Sequence, residues 1–400
     1  MKVLCASIAL LVLCNGQLFC DERLDSYISK NKKEQFDYDY EKNEEQSLKL
    51  RDSWIAPLNL NYSHSKSNPY GSEQTAESAA IKMDQPIFQS GGIYYNIKFA
   101  EASKKYFNYS IDVAKRKLVK DAISFLMQIK QMDLKISKQK LQIKNSEINL
   151  AQKKEGYLSG QLDSGFLDGA IIERNQFIQA LYDIETNKER AVSKFSAISD
   201  MNYKDAFIPS LKLLNQEQFL EQNIVLSMSD SEVIKNGYAK DLTVTKYLPR
   251  VNVTAGYSWD KSDTPYQFGA NEKDYYSYGF KANLPIDINS FRDVESSKID
   301  YLKSKLVVED RKRELKAIFE QVMQNIENFE KKKQLSVENR DIYEKLLADT
   351  VDLYKAGYKT EYDVDLLKNS LEIQKSDVDI YEIDKQLELL TLYEMYNDKI

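Results

Sequence analysis

The chain has 400 residues, 30% of them charged, and a formal net charge of −6. Because only 13 glycines and 7 prolines interrupt it, we expect a few long elements rather than many short ones. The mildly acidic balance, with no basic block, gives nucleic-acid binding no electrostatic footprint, and we expect no nucleic acid among the partners.

Residues 1–20 predict a secretory signal peptide. An apolar run from Val3 to Leu13 follows a basic residue, and small residues come next at Cys14 and Gly16. All three cysteines of the chain lie in this segment, so cleavage after Cys20 would leave no disulfide framework. Cleavage after Gly16 would keep Cys20 near the new N-terminus, where lipid modification stays open. Beyond this segment, no run of about 18 apolar residues predicts a membrane-spanning helix.

Residues 21–200 form the first of two similar halves. A polar segment up to Ser53 predicts one or two weak helices. Leu58, Leu60 and Tyr62 alternate with polar residues, which predicts a strand. The half continues with a polar loop, a second strand, a long helix, an elbow and a return helix. The expected bounds are 57–66 and 76–87 for the strands, 91–155 for the long helix, 156–168 for the elbow and 169–200 for the return helix.

The long helix of this half is the feature least compatible with a compact enzyme. It has neither Pro nor Gly from Ile93 to Lys154, and its apolar residues recur every seventh position, at Ala122, Ile129, Ile136, Ile143 and Leu150. At 1.5 Å per residue such a helix is roughly 90 Å long. The single histidine, His64, also cannot supply a histidine-rich metal site or more than one triad. We therefore expect no enzymatic activity and no metal or other cofactor.

Residues 201–400 repeat the same order of elements. A connector comes first, in which we expect a helical region interrupted around Ser227–Ser231 and again at Asn236–Gly237. The expected bounds are 201–246 for the connector, 250–260 and 274–286 for the strands, 290–356 for the long helix, 357–363 for the elbow and 364–397 for the return helix.

The two elbows carry the clearest sign of duplication. Tyr157 and Gly160 in the first correspond to Tyr354 and Gly357 in the second, with an offset of 197 residues (354 minus 157). Glycine after a helical run is typical of a helix C-terminus, so Gly160 and Gly357 are the predicted hinges. A repeated helical hairpin therefore defines the architecture.

The strand near 274–286 has two different faces. Tyr276, Tyr278 and Phe280 lie on one side, and small or polar residues such as Ser277 and Lys281 lie on the other. This alternation suits a lipid-facing barrel strand, and it suits equally a half-buried strand of a soluble sheet. Four strands per chain are too few to close a membrane barrel, which needs about eight. The barrel interpretation therefore requires several copies of the chain.

The chain resembles the TolC-type outer-membrane efflux proteins. The resemblance lies in the segment Gln85–Gly92 before the long helix, in the two Tyr-x-x-Gly elbows, in the heptads and in the duplication. The resemblance implies a mainly α fold with a minor β part, in which duplicated long antiparallel hairpins form a periplasmic α-barrel. It also implies a homotrimer whose strands complete a twelve-stranded barrel in outer-membrane lipid. Such proteins are exit ducts that dock onto a periplasmic adaptor and an inner-membrane transporter, and they expel drugs or secreted proteins.

The resemblance further implies a gate at the second elbow. Tyr354 and Lys359 match a tyrosine and an arginine that tether the closed tip in this family, and Asp363 matches an aspartate of an acidic ring. The second ring position falls on Leu366, with Asp365 as its acidic neighbour. Three carboxylates around a narrow axis would attract cations.

The first elbow departs from the family pattern. The aspartate position is occupied by Phe166, and Asp168 lies two residues further on. Each candidate acid also has a simpler interpretation, since an acidic residue in the first turn of a helix is favoured by the helix dipole.

A second hypothesis comes from a different class of protein. The heptads also suit a soluble periplasmic or surface coiled-coil adaptor without a channel. The predicted strands discriminate between the two, because an adaptor would more naturally carry compact all-β domains and a single hairpin.

Overall fold

The computed structural model describes residues 25–68, 71, 73–263 and 271–397, so the predicted signal peptide and Cys20 lie outside the described residues. After a short 3-10 helix at Asp25–Tyr27, the described chain contains helices and strands in the order expected for two similar halves. The helices are α1 (Lys30–Arg51), α2 (Gly92–Leu158), α3 (Ser164–Ser196), α4 (Gln216–Glu221), α5 (Ile224–Thr245), α6 (Ser290–Lys355) and α7 (Glu361–Met395). The strands are β1 (Asn59–Ser67), β2 (Gln74–Phe88), β3 (Arg250–Asp263) and β4 (Asn271–Asn283).

The strands extend further into the polar loops than predicted. β2 begins at Gln74 rather than at 76, and β3 ends at Asp263 rather than at 260. His64 lies inside β1 opposite Glu77, and Lys66 forms an ion pair with Glu73 at 2.9 Å. Alternation of apolar residues stops before these positions, but antiparallel pairing and cross-strand charge pairs do not need apolar side chains. The prediction underestimated the strands because it followed hydrophobicity alone.

The first elbow is shorter than predicted. It occupies residues 159–163, because the Asp163 side chain accepts a hydrogen bond of 2.8 Å from the Gly165 backbone N–H and so starts α3 at Ser164 rather than at Gly169. An N-cap of this kind satisfies a donor that the helix itself leaves free. Gly165, which lies within the predicted elbow, is therefore helical.

The predicted interruptions of the connector are wrong. α5 runs without a break through Ser227–Ser231 and Asn236–Gly237. The helix begins instead at Asn223, whose side chain caps the backbone N–H groups of Val225 and Leu226. Gly237 is helical and faces the Tyr301 ring, where an added Cβ would make an ordinary contact of 3.5 Å.

The four strands form one antiparallel sheet in the order β1-β2-β3-β4. Leu60 pairs with Ile81, Ile81 with Tyr257 and Tyr257 with Tyr276, so these four side chains form a row on one face. A register shift between Pro86 and Phe88 marks the end of β2, where proline cannot donate a ladder hydrogen bond. β1 and β4 are the two edges of the sheet.

The chain divides into two compact units, and each is described separately. The sheet unit contains Phe36–Val113 and Asn223–Leu315. Its helices pack in the order α1-α2-α5-α6, the same order as the strands to which they connect. The contacts are Ser47 Oγ to the Ala100 carbonyl (3.2 Å), Lys235 Nζ over the Tyr106 ring (3.8 Å to the centroid) and Ser297 Oγ to Thr243 Oγ1 (3.1 Å).

The elbow unit contains the described residues up to Gln35, Ala114–Gln222 and Lys316 onward. Its long helices pack in the order α3-α2-α7-α6. The core includes fully buried Ile123, Leu126 and Ile129 of α2, with Phe195, Leu389 and Leu392. Of the heptad positions named from the sequence, Ala122 and Ile129 are buried in this core, whereas Ile136, Ile143 and Leu150 are half-buried. None of the helices in the described part of the chain is long and apolar enough to cross a membrane.

Candidate functional site

The two elbows end their first helix in the same way. In the first, the Gly160 N–H donates to the Tyr157 carbonyl (3.0 Å) and the Gln161 N–H to the Gly156 carbonyl (2.8 Å). This pair of bonds is a Schellman motif, and Gly160 has the positive φ of 74° that the motif requires. A Cβ on Gly156 would lie 2.7 Å from Leu162 Cδ1, so the elbow also folds back closely on its own helix.

The second elbow repeats the motif. The Gly357 N–H donates to the Tyr354 carbonyl (3.0 Å) and the Tyr358 N–H to the Leu353 carbonyl (2.9 Å), with φ of 83° at Gly357. Gly160 and Gly357 keep the offset of the repeat, and so do the N-cap residues Asp163 and Thr360. The duplication seen in the sequence therefore holds at the level of individual backbone hydrogen bonds.

Asp363 takes part in a capping box at the start of α7. Its carboxylate accepts from the Thr360 backbone N–H (3.0 Å) and hydroxyl (2.9 Å), and the Asp363 N–H donates to Thr360 Oγ1 (3.3 Å). These hydrogen bonds lower the pKa of Asp363, and Lys359, whose Nζ lies 4.0 Å from Asp363 Oδ1, lowers it further. The carboxylate therefore stays ionised at neutral pH while it caps the helix.

The remaining candidate side chains of the elbows stay exposed or half-exposed. Tyr354 is 44% exposed, and Asp168 and Asp365 are exposed just beyond the first turns of α3 and α7. Asp365 lines an open cleft of about 540 Å³ between α2 and α7, together with Lys144 and Lys368. The structure thus places Tyr354, Lys359 and Asp363 on one elbow and Asp168 on the other, all accessible in the single chain.

The sheet has one apolar and one polar face. The register places most of the large apolar and aromatic side chains on one side, with Tyr275 on the other. The apolar side carries Leu60, Tyr62, Ile81, Met83, Val253, Tyr257, Tyr276, Tyr278 and Phe280. Tyr276 and Tyr278 stack with ring centroids 6.2 Å apart and are 75% and 81% exposed. Nothing in the described chain covers this face, which is large for a soluble monomer.

The other face is polar and contains small residues. It carries Asn61, Lys82, Asn252, Thr254 and Lys281, and Asn252 Nδ2 donates to Asp84 Oδ1 at 2.6 Å. A sheet with one apolar and one polar face, both open, is typical of a strand set between lipid and water. The sequence fitted a barrel strand and a half-buried strand of a soluble sheet equally well. The open apolar face favours the barrel strand.

No protein-family model matches the chain, and no curated protein matches it in sequence. Solved structures do match. The CmeC outer membrane channel of Campylobacter jejuni covers 95% of this chain and 87% of its own length, with a TM-score of 0.72 and 12% identity. The outer membrane protein VceC of Vibrio cholerae covers 94% and 96%, with a TM-score of 0.71 and 11% identity. The MtrE outer membrane channel of Neisseria gonorrhoeae, in an open state, covers 93% and 87%, with a TM-score of 0.65 and 10% identity.

The chain has the fold of these outer-membrane channels. The resemblance to the TolC type seen in the sequence is thus confirmed for the fold, with long helical hairpins and a small antiparallel sheet. At 10–12% identity the shared fold does not show what individual residues of this chain do.

Within the channel fold, sequence reasoning missed two features of the elbows. The capping box has the pattern of Thr360 followed three residues later by Asp363, which could have been recognised as a helix start. The second feature is Phe166, whose ring lies 5.6 Å from Lys153 Nζ in a cation–π contact. At the position where the resemblance expects an acid, the first elbow therefore holds an aromatic ring facing a lysine.

Among the residues described, no group of three or more His, Cys, Asp or Glu side chains comes together as a metal site would require. The acidic residues of the elbows are distributed singly along their helices in each copy.

Proposed function

We propose that the chain forms a homotrimeric outer-membrane channel, the exit duct of an efflux or type I secretion system, and that it is not an enzyme. In this proposal the sheets of three copies complete a twelve-stranded barrel in outer-membrane lipid, and the long hairpins extend into the periplasm. A periplasmic adaptor and an inner-membrane transporter would deliver the substrate and supply the energy.

The observation that carries the proposal is the sheet. It has one apolar face, one polar face and two unpaired edges, β1 and β4. Because the four strands alternate in direction, β4 of one copy would run antiparallel to β1 of the next. Copies can therefore be added edge to edge. Four strands cannot close, whereas three copies supply twelve, and closure removes every open edge.

The elbows support a gate as part of the same proposal. Tyr354, Lys359 and Asp363 of the second elbow, with Asp365 and Asp168 as neighbouring acids, would converge around the axis when three copies assemble. The ionised Asp363 carboxylates would then concentrate cations at the constriction. Gly160 and Gly357 would be the hinges about which the hairpin tips move.

The alternative, a soluble coiled-coil adaptor, explains the helices but not the sheet. An adaptor in water would have to cover Tyr276, Tyr278 and Phe280, all of which are at least 75% exposed in the chain. The apolar face therefore favours the channel.

Cell fractionation and planar-bilayer recording test the proposal. We expect trimers that are recovered with the outer membrane, that dissociate on heating and that conduct ions after reconstitution. Release of the protein by mild osmotic shock, as a monomer without conductance, would contradict it. In a strain lacking the gene, altered sensitivity to a panel of detergents, dyes and antibiotics would distinguish small-molecule efflux from protein secretion.

A further inference from the structure

A narrow cleft lies between α1 and α2, next to the sheet. α1 runs towards the sheet and α2 away from it, and polar contacts join the two helices. Ser47 Oγ donates to the Ala100 carbonyl (3.2 Å), and Asn96 Nδ2 donates to the Leu50 carbonyl (2.8 Å). On one side of this line of contacts the side chains of the two helices do not meet. They leave a cleft of about 440 Å³.

The lining of the cleft is largely apolar. Phe99, Ser103 and Phe107 lie four residues apart on α2 and therefore share the face that lines it. Leu50 adds an aliphatic side chain from α1. Phe107 is 48% exposed, and Phe99 and Leu50 are half-buried, so the described chain leaves this apolar lining partly uncovered.

The dimensions of the cleft fit one extended aliphatic chain. Its lining extends from Ser53, which the contact of Asn96 with Leu50 places near the start of α2, to Phe107, roughly 20 Å along that helix. The volume of about 440 Å³ over this length leaves a cross-section of about 22 Å², roughly 5 Å across. Apolar heavy atoms pack at about 4 Å, whereas a helix is about 10 Å wide. The cleft therefore admits an acyl chain and excludes a helical peptide.

Ser103 places an unused hydroxyl in the cleft. The residue is only 7% exposed, and its hydroxyl makes no hydrogen bond with any of the described residues. The other two serines of the lining differ, since Ser47 donates to the Ala100 carbonyl and Ser53 to the Leu50 carbonyl (2.8 Å). A buried hydroxyl without a partner is unfavourable. Ser103 therefore indicates a polar group that reaches the cleft from outside the chain.

Lys49 gives the mouth of the cleft a positive charge. Its side chain is exposed and forms no ion pair with any residue that the structure describes. Neighbouring cations are paired, Arg51 with Asp52 at 2.7 Å and Lys104 with Glu44. The complement to the free ammonium group is an anion.

We propose that this cleft binds one acyl chain of an anionic glycerophospholipid. Lys49 binds the phosphate, Ser103 donates a hydrogen bond to an ester carbonyl, and the rings of Phe99 and Phe107 contact the chain. The two polar groups suit such a lipid, because Ser103 lies roughly 8 Å further along α2 than the level of Lys49, and a glycerol unit separates phosphate from ester in the ligand.

The source of this lipid is the membrane around the sheet. Ser53 at the mouth of the cleft is followed within six residues by β1, which begins at Asn59. The inference rests on the proposed function in this one respect, because there the sheet lies in outer-membrane lipid. A lipid at the strand ends thus reaches the mouth without leaving the membrane.

Substitutions of exposed residues test the site without disturbing buried packing. Lys49→Glu reverses the charge at the mouth. The matched control is Lys42→Glu, which makes the same change of net charge one heptad earlier on α1, outside the cleft. Gln46→Trp places a bulky ring across the cleft from an exposed position.

Native mass spectrometry of the full chain, delipidated in nonionic detergent, measures the binding. Phosphatidylglycerol is the anionic probe, and phosphatidylcholine with the same acyl chains is the comparison without net charge. We expect one phosphatidylglycerol per chain, bound at least fivefold more tightly than phosphatidylcholine. Lys49→Glu should remove this preference, Lys42→Glu should keep it, and Gln46→Trp should abolish the binding.

Three results would overturn the lipid site. Equal affinity for the two lipids, or equal losses in the two lysine variants, would show that Lys49 does not select an anionic head group. Phosphatidylglycerol binding that survives Gln46→Trp would show that the lipid binds elsewhere. Binding of laurate, a single-chain anion, without binding of phosphatidylglycerol would replace the lipid by a transported amphiphile.

Bilayer recording of the same preparations separates this inference from the proposed channel. A trimer that conducts ions but shows any of these three results overturns the lipid site and leaves the channel standing. A chain that binds phosphatidylglycerol as expected and conducts no ions supports the site and contradicts the channel.

Discussion

Asp363 has an observed role in the cap of α7 and a proposed role in a gate, and a pair of substitutions can separate them. Thr360→Ala removes the capping hydroxyl and keeps the carboxylate, whereas Asp363→Asn removes the charge and keeps an amide oxygen that can accept from Thr360. If the carboxylate acts in a gate, Asp363→Asn, alone or with Lys359→Ala, should raise the conductance of the reconstituted channel and weaken its block by cations. Thr360→Ala should leave both properties as in the parent.

The expected loss of stability is larger for Thr360→Ala, because only that variant loses the N-cap hydrogen bond. Loss of an N-cap costs about 1 kcal/mol, and because the Asp363 side chain is 32% exposed we take the lower part of that range, about 0.5–1 kcal/mol per copy. The Lys359 contact, at 4.0 Å between exposed side chains, adds at most about 0.5 kcal/mol. Because Thr360→Ala weakens the helix start more than Asp363→Asn does, a rise in conductance seen only with Asp363→Asn cannot arise from a weakened helix start.

Single-channel recording with a divalent-cation titration is the assay. A Thr360→Ala channel that reproduces the Asp363→Asn conductance would refute the gate role and assign the effect to the cap. Since the folded-state pKa of Asp363 is lowered, the stability it contributes is present above its unfolded pKa of about 4 and is lost as the pH falls through the lower folded value. Acid should therefore destabilise the parent more than the Asp363→Asn variant.

Three further predictions follow from the fold and the sheet. Gly160→Ala and Gly357→Ala should each lower the unfolding free energy by about 1–2 kcal/mol, because alanine is strained at the positive φ of these positions, although an added Cβ would meet no atom. The corresponding Asn variants should lose less in the same denaturant titration, because asparagine tolerates a positive φ better. Tyr278→Lys should make membrane insertion less favourable by about 2–4 kcal/mol and so reduce the amount of protein recovered with the outer membrane. Ser277→Lys, on the polar face, should not reduce it, and equal losses for the two variants would contradict the assigned faces. Burial raises the pKa of Asp384, so its ionised form opposes folding. An Asp384→Asn variant should therefore be at least as stable as the parent at pH 8 and should lose that advantage below about pH 4. Thermal unfolding at the two pH values measures the difference.

The order of the elements could be predicted because heptads, strand alternation and elbow glycines are all local patterns. Their ends could not be predicted from hydrophobicity, since capping by Asp163 and Asn223 and polar pairing such as that of Lys66 with Glu73 determine them. The continuity of α5 through Gly237 shows that one glycine in a helical pattern is tolerated and does not by itself mark a break.

The elbow residues were identified correctly as a repeated motif, but their roles in a gate stay a prediction. The sequence placed Asp363 at a helix start without revealing that its carboxylate is held by Thr360. The polar contacts that align the long helices, such as Gln131 with Asp384, join residues with no periodic relation. Only coordinates reveal which of many exposed polar residues meet.

The unpaired edges of the sheet have a consequence for biogenesis. Before it joins the proposed trimer, a single copy presents backbone donors and acceptors along β1 and β4 and an uncovered aromatic face, a kind of surface that promotes aggregation. Closure of the barrel and association of the copies should therefore occur together, in one concentration-dependent step. A chaperone that covers these surfaces would be needed until three copies have assembled.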